Sequence, residues 1–130
     1  VGGGMTVLTC DALSSLSPDA VVLVLSNAPD ELLAKRIAHY VVEEGLVACA
    51  NLGAASLSMY MWQGELQGET EVPLQFKTTA RRVEALIQRL VSLHPYEVPE
   101  VIVVPVVAGL DSYIKWVQDE TAAPPVLKKS

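Results

Sequence analysis

The highest density of chemically active side chains in the sequence lies in residues 94–100, which read His-Pro-Tyr-Glu-Val-Pro-Glu. This segment places an imidazole, a phenol and two carboxylates beside two prolines. Each proline fixes its own φ angle and biases the preceding residue towards extended backbone, so these side chains have little freedom. Histidine is a frequent metal ligand, and its charge changes near neutral pH. The segment is therefore either a binding site or a rigid corner between two elements.

The sequence gives little support for an enzyme active site. No serine or cysteine is accompanied by the patterned histidine and acid that nucleophilic catalysis uses. The glycines at 2–4, 64 and 68 do not form a phosphate-binding loop. His39 lies off the apolar stripe of its predicted helix and is expected to be solvated, while Cys49 is expected to pack as a small hydrophobe. We therefore predict that the protein is not an enzyme.

Composition limits the class of protein. The 130 residues suit one domain, and a hydrophobic content of 51% predicts a sizeable core. No apolar run reaches the ~20 residues of a membrane helix, and a net charge of −6 disfavours nucleic acid as a partner. Two distant cysteines, Cys10 and Cys49, are not expected to form a disulfide, which suits a reducing cytoplasm. We predict a soluble, cytoplasmic protein with neither a membrane nor a nucleic-acid partner.

The periodicity of the apolar residues predicts the elements that position these side chains. In order, they are a buried strand at 20–25, a helix from Asp30 to Gly45, one long strand at 46–62, a strand at 65–78, a helix capped by Thr79 that stops before Pro95, a buried strand at 101–107 and a short helix after Gly109. This order predicts an α+β fold, the ferredoxin-like split βαβ (βαββαβ plus a short C-terminal helix), with four antiparallel strands and both main helices on one face.

Domain boundaries follow from where the periodic pattern starts and stops. Residues 20–120 are predicted to form the domain. Residues 1–19, rich in glycine and serine, are predicted to be a flexible lead, with 1–4 added ahead of a native Met5. Residues 121–130 are predicted to be a flexible tail.

The two central strands are predicted to form an unusually long hairpin. Gln63 and Gly64 form the turn, and Pro73 in the returning strand is expected at an edge or a bulge. Each arm is longer than the usual ~5–6 residues of a strand, so the hairpin should project beyond the helices. A long exposed apolar ribbon needs a partner. The sequence therefore predicts an oligomer that assembles through the hairpin.

Several short motifs occur in order between residues 20 and 120. They are Ala28-Pro29-Asp30-Glu31, Leu46-Val47-Ala48-Cys49-Ala50-Asn51, Ser58-Met59-Tyr60-Met61-Trp62-Gln63-Gly64, Glu71-Val72, Lys77-Thr78, the 94–100 segment, and Gly109 followed by Tyr113 and Trp116. Together they resemble the CutA family of divalent-cation tolerance proteins. The resemblance implies a ferredoxin-like protomer in a homotrimer, hairpins that pair between subunits, a link to copper and other divalent ions, and no established reaction.

The resemblance also suggests where a metal would bind. The proposed copper ligands in some bacterial members are a cysteine at the end of the first strand and two adjacent histidines. Ser26 and Leu93 stand at two of these positions, so only His94 carries over as a metal ligand. A hydroxyl is a poor ligand for copper, so copper or another divalent metal ion is expected to bind weakly. Alternatively, His94 is structural, with ~0.3–1 kcal/mol of stabilisation at the end of the second predicted helix.

A second candidate site is a cleft between subunits. The family pattern places five amphipathic residues near subunit contacts: Tyr60, Trp62, Lys77, Tyr96 and Trp116. Glu100 is the sixth candidate residue of the ligand cleft. They are expected either to pack at those contacts or to line a ligand cleft. Lys77 could hold an anion there or pair with Glu71 or Glu100. PII-type signalling proteins share a similar trimeric architecture, which leaves two alternatives to metal tolerance: a sensor of a small anionic ligand, and a rigid scaffold for a protein partner.

Overall fold

The computed structural model describes residues 11–129 and forms five strands and three α-helices within that range. The strands are β1 (Val21–Ala28), β2 (Cys49–Leu52), β3 (Ser56–Trp62), β4 (Glu65–Thr79) and β5 (Ile102–Pro105). The helices are α1 (Glu31–Glu43), α2 (Ala80–Leu93) and α3 (Asp111–Glu120), and a short 3-10 helix at Asp11–Leu13 precedes β1. No helix among these residues is both long and apolar enough to cross a bilayer.

The strands form an antiparallel sheet in the order β2-β4-β1-β5, and β3 extends it by pairing with β4. The apolar stripes of α1 and α2 cover one face of this sheet. The buried side chains between them include Val22, Val24, Ile37, Val41, Leu74, Phe76, Leu86 and Leu90. This arrangement confirms the predicted ferredoxin-like split βαβ, with five strands instead of four. We call the sheet face that points away from α1 and α2 the open face.

Local signals at the helix ends explain where α1 and α2 begin and end. The Asp30 carboxylate accepts a hydrogen bond from the Leu33 N–H at 2.8 Å, which confirms it as the N-cap of α1. Gly45 follows α1 with φ +79°, as expected of a glycine that ends a helix. Thr79 precedes α2 as predicted, but its side chain does not cap the helix. Its hydroxyl pairs with the Thr121 hydroxyl at 2.9 Å, and this buried contact competes with capping.

The long hairpin consists of β3 and β4. Gln63 and Gly64 join them with φ values of 51° and 81°. Two consecutive positive φ values are what a tight two-residue hairpin turn requires, which confirms the predicted turn. The apolar side chains of β3 alternate with Ser58, Tyr60 and Trp62, so the hairpin has one mainly apolar face.

The prediction of one continuous strand over 46–62 is wrong, because residues 53–55 separate β2 from β3. Leu52 pairs with Leu74 and Ser56 with Glu71, so three residues, 53–55, oppose two, 72 and 73. This is the bulge expected near Pro73, and it is confirmed. The Gly53 N–H donates to the Pro73 carbonyl at 2.9 Å. A Cβ on Gly53 would lie 2.7 Å from Cγ of Pro73, so the bulge accommodates only glycine without rearrangement.

The predicted buried strand at 101–107 is shorter and more exposed than expected. β5 spans four residues at the sheet edge and pairs only with β1. Val103 packs against the core, whereas Ile102 and Val104 on the open face are 51% and 37% exposed. The continuous apolar run suggested burial on both faces, but α1 and α2 cover only one face, and α3 packs on the open face near Val21 and Ala48 and leaves Ile102 and Val104 partly exposed.

The terminal segments pack against the domain where they are described. Of the predicted flexible lead, residues 1–10 lie outside the described range, while Leu13 and Leu16 pack against the main core. Asp19 forms an ion pair with Arg81. In the predicted flexible tail, the Arg82 guanidinium donates to the carbonyls of residues 121, 122 and 123 at 2.8, 2.9 and 3.0 Å.

A buried ion pair joins α1, α2 and the C-terminal segment. The Glu44 side chain is fully buried and accepts two hydrogen bonds from the Arg89 guanidinium, at 2.9 and 2.7 Å. The Lys128 N–H also donates to the Glu44 carboxylate at 2.7 Å, and the Lys128 carbonyl accepts from Arg89 at the same distance. Arg89 therefore both neutralises a buried charge and holds the tail.

We expect Arg89→Ala to lower the free energy of unfolding by about 3–5 kcal/mol, because the Glu44 charge would remain buried without a partner. Arg36→Ala is the matched control. Both guanidiniums lie over the Tyr40 ring, at 5.7 Å for Arg36 and 5.2 Å for Arg89, but only Arg89 pairs with Glu44. Loss of that ring contact alone should cost about 0.5–1 kcal/mol. Urea denaturation at matched chain concentration measures both, and equal effects would contradict the role of the ion pair.

Candidate functional site

His94 is a buried residue that joins the end of α2 to the end of β1. It follows α2 directly, and its Nε2 donates to the Asn27 backbone carbonyl at 2.7 Å. Its Nδ1 accepts the Tyr96 N–H at 3.2 Å. The two contacts together require a neutral ring protonated on Nε2. The His94 and Tyr96 rings also stack at a tilt, with centroids 4.6 Å apart.

The expected metal position at His94 does not fit a metal well. Both ring nitrogens already serve backbone partners, so coordination at either would leave Tyr96 N–H or the Asn27 carbonyl unsatisfied. Ser26, at the position of the family's cysteine, is buried. Within residues 11–129 there is no group of three histidine, cysteine, aspartate or glutamate side chains arranged to hold a metal ion.

The same corner carries an acidic group of side chains that we call the acid–tyrosine cluster. Its members are Asn27, Tyr60, Glu69, Glu71, Tyr96 and Glu100. The Asn27 amide nitrogen donates to Oε1 of Glu71 at 3.3 Å and to Oε1 of Glu100 at 3.2 Å. The Tyr96 hydroxyl donates to the other oxygen of Glu71 at 3.2 Å. The Tyr60 hydroxyl donates to Glu69 at 2.7 Å.

Sheet register explains why these residues meet. Strand alternation puts Asn27 on the open face of β1 and Glu71 on the open face of β4, and Ala28 pairs with Val72. Leu25 pairs with Ile102, so continuing that antiparallel register brings Glu100 opposite Asn27. One amide and two carboxylates from three separate segments therefore lie next to one another.

No basic side chain in the described part of the chain forms an ion pair with the carboxylates of the acid–tyrosine cluster. None of the ion pairs there involves Glu69, Glu71 or Glu100, although Glu71 is only 8% exposed. Burial, reinforced by the Glu71 charge and its hydrogen bond, raises the pKa of Tyr96 to about 12. The hydrogen bond to Glu69 is the main cause that raises the pKa of Tyr60.

The six residues proposed for a cleft do not form one group in a single chain. Tyr60, Tyr96 and Glu100 belong to the acid–tyrosine cluster. Lys77 instead donates to the Asn51 side chain at 3.0 Å and lies 5.9 Å from the ring centroid of Tyr113. Trp116 stacks on Tyr113, with centroids 5.6 Å apart. Trp62 lies beside the hairpin turn and is 61% exposed.

An open-face cavity of about 370 Å³ connects these two groups. Its lining includes Glu100 from the cluster, Asn51 next to Lys77, and Gln75 and Pro73 of β4. Sequence reasoning did not assign Asn27, Glu69, Glu71, Asn51 or Tyr113 to a site. Alternation along β4 does place Glu71, Gln75 and Lys77 on one face, but their partners depend on strand register.

The cluster predicts a late phenol titration. Because the folded protein raises the Tyr96 pKa from 10.0 to about 12, its contribution to stability is complete below pH 10 and is lost as the pH rises through 12. Ultraviolet titration of tyrosinate should show one step near pH 12, and Tyr96→Phe should remove it while Tyr113→Phe leaves it. Because the pKa of Tyr60 is also raised, the contradicting result is a step near pH 12 that survives both in Tyr96→Phe and in the Tyr60→Phe/Tyr96→Phe double variant.

Comparison with protein families gives one match that covers most of the chain. Residues 22–120 match the family model described as CutA1 divalent ion tolerance protein. Proteins from Citrobacter koseri and Salmonella newport, both called divalent-cation tolerance protein CutA, are 46% identical over 99 residues. Those alignments cover 76% of this chain and 85% of each relative.

Solved structures show the same similarity in three dimensions. CutA from Xylella fastidiosa is 40% identical with a TM-score of 0.77, and the match covers 78% of this chain and 98% of that one. CutA1 from Shewanella sp. SIB1 is 35% identical with a TM-score of 0.79, covering 83% and 100%. A protein from Archaeoglobus fulgidus described as periplasmic is 25% identical, with a TM-score of 0.75 and coverage of 78% and 98%. The chain belongs to the CutA1 divalent ion tolerance protein family.

Proposed function

We propose that this protein is a cytoplasmic homotrimer that binds divalent cations and contributes to tolerance of them, without catalysing a reaction. The observation that carries the proposal is the acid–tyrosine cluster, whose three carboxylates have no basic partner among residues 11–129. Carboxylates without a counter-charge attract cations. Membership of a divalent ion tolerance family supports the same class of ligand.

Copper at His94 has less support than a cation at the cluster, because backbone hydrogen bonds occupy both ring nitrogens. A small anionic ligand also has less support. Tyr60, Tyr96 and Glu100 lie among carboxylates, which repel anions. Among the described residues that line the cavity none is basic, and Lys77 lies beside Asn51 of that lining.

Assembly into a homotrimer is supported by exposed apolar surface. The side chains of Leu57, Met59, Met61 and Leu66 on one hairpin face are each more than 60% exposed. The β5 edge and Val107, which is 97% exposed, add to this surface. Monomeric proteins rarely leave such a long apolar ribbon and a free strand edge uncovered.

We expect the wild-type protein to have three times the mass of one chain by light scattering, and Met59→Glu to shift it towards the monomer, because the substitution adds a charge to the covered face. Val91→Glu is the control, since Val91 is an exposed apolar residue of α2, outside the hairpin. A monomeric wild type, or equal dissociation of both variants, would contradict assembly through the hairpin.

Cation binding itself is tested by native mass spectrometry of metal-free protein mixed with Cu²⁺, Zn²⁺ or Mn²⁺. We expect a fixed number of cations per trimer. His94→Gln removes the imidazole but keeps an N–H that can reach the Asn27 carbonyl, so Mn²⁺ binding should persist. Selective loss of Cu²⁺ in this variant would identify His94 as a copper ligand. Absence of any stoichiometric cation on the wild type would refute the proposed function.

A further inference from the structure

We propose that Glu44 and Arg89 form a docking site for an extended peptide main chain, and that residues 126–128 of the same chain occupy it as an exchangeable strap. The site lies where the C-terminal end of α1 meets α2. The strap lies beyond residue 120, where the match to the family model ends. This inference is independent of cation binding and of assembly into a trimer.

The strap is held by its main chain. The Val126 N–H donates to the Glu44 carbonyl at 3.0 Å, and the Lys128 N–H donates to Oε2 of Glu44 at 2.7 Å. The Lys128 carbonyl accepts a hydrogen bond from Nη2 of Arg89 at 2.7 Å. In an extended chain, the N–H and C=O groups of every second residue point to the same edge. Residues 126 and 128 therefore present one edge to the site, as a strand does to its neighbour.

The side chains of the strap contribute little to this recognition. Val126 and Leu127 are 65% and 61% exposed, and Lys128 takes part in none of the ion pairs among residues 11–129. The charges of Glu44 and Arg89 neutralise each other, so the pair does not select a charged side chain. The site therefore fits an extended segment of any sequence that offers N–H groups two residues apart, with no proline at either position.

The groups that hold the strap need a partner that α1 and α2 do not supply. Glu44 is the C-cap of α1, and the last carbonyls of a helix have no donor within it. The Glu44 carboxylate is fully buried and receives two hydrogen bonds from Arg89 and a third from Lys128. When the strap leaves, the Glu44 carbonyl and carboxylate each lose a donor, and Arg89 loses an acceptor. Because buried polar groups are almost always hydrogen-bonded, the vacated site favours another main chain.

The strap can detach alone because the chain before it is anchored separately. The Arg82 guanidinium holds the carbonyls of residues 121–123, and Pro124 and Pro125 then stiffen the link. None of residues 126–128 belongs to the hydrophobic core. A short tether keeps the strap at an effective concentration in the millimolar range. A separate peptide therefore competes poorly with the strap, which acts as an internal inhibitor of docking.

The first test is amide hydrogen exchange of the full chain, measured for each residue by NMR. We expect the Val126 and Lys128 amides to exchange at least about tenfold more slowly than those of Leu127 and Lys129, but faster than the amides of β4, because the strap opens without the sheet. Equal exchange of all four amides would overturn docking of the strap. Exchange of Val126 and Lys128 only through global unfolding would overturn its exchangeability.

The second test measures binding of a labelled peptide with the sequence of residues 124–130 by fluorescence anisotropy. In the full-chain Lys128→Pro variant, the resident strap lacks the N–H that reaches the Glu44 carboxylate. We expect the peptide to bind this variant at least about tenfold more tightly than wild type, because the site is free for a larger fraction of the time. Leu127→Pro is the matched control and should bind like wild type, since no hydrogen bond of the Leu127 N–H occurs among the described residues.

The peptide itself supplies a second pair of variants, which does not depend on the folding of any altered protein. Lys128→Pro in the peptide should abolish its binding to the Lys128→Pro chain, whereas Leu127→Pro in the peptide should leave that binding intact. Failure of the unmodified peptide to bind the Lys128→Pro chain, or equal binding to all three chains, would overturn the docking site. Equal binding of the two proline-substituted peptides would overturn recognition through the main chain.

Discussion

The hydrogen bond from Nε2 of His94 to the Asn27 carbonyl is the contact on which the candidate site depends. It fastens the end of α2 to the end of β1, and the two prolines that follow limit the path of the chain. The second ring nitrogen then fixes the Tyr96 backbone, which aims the phenol at Glu71. A buried hydrogen bond contributes only about 1 kcal/mol net to stability, but a buried donor or acceptor that is left without a partner costs about 1–3 kcal/mol. Through these two contacts His94 holds the Asn27 carbonyl and the Tyr96 backbone in place.

Two buried glutamates of the fold differ in whether a cationic side chain neutralises them. Glu44 and Glu71 are 2% and 8% exposed. Glu44 receives two hydrogen bonds from Arg89 and one from a backbone N–H. Glu71 receives only neutral donors, from Asn27 and Tyr96, and a second carboxylate lies on the same amide. Among residues 11–129, Glu44 has a cationic partner and Glu71 has none. This contrast distinguishes a structural ion pair from a candidate binding site.

Sequence reasoning succeeded where the determining signal is local. The Asp30 cap, the Gly45 stop and the Gln63-Gly64 turn each depend on a few neighbouring residues, and all three are present. It failed at residues 53–55, where the break follows from the approach of Gly53 to Pro73 on another strand. The acid–tyrosine cluster was missed for a similar reason, since its residues Asn27, Glu71 and Glu100 meet only through strand register. Exposure of β5 depends on how many faces of the sheet are covered, which periodicity does not reveal.

In the proposed trimer, cation binding at the cluster would be coupled to assembly where a partner covers the open face, on which Ile102 and Val104 are exposed. Covering that face removes water from Glu71 and Glu100, and a carboxylate loses more solvation as its surroundings become apolar. A bound divalent cation would offset the two negative charges and lower that cost. By mutual linkage, a cation that stabilises the assembled state must bind more tightly to the trimer than to the separated chain. In the proposed trimer the segment with the two prolines would position the carboxylates, and their charge would couple a bound cation to the subunit interface.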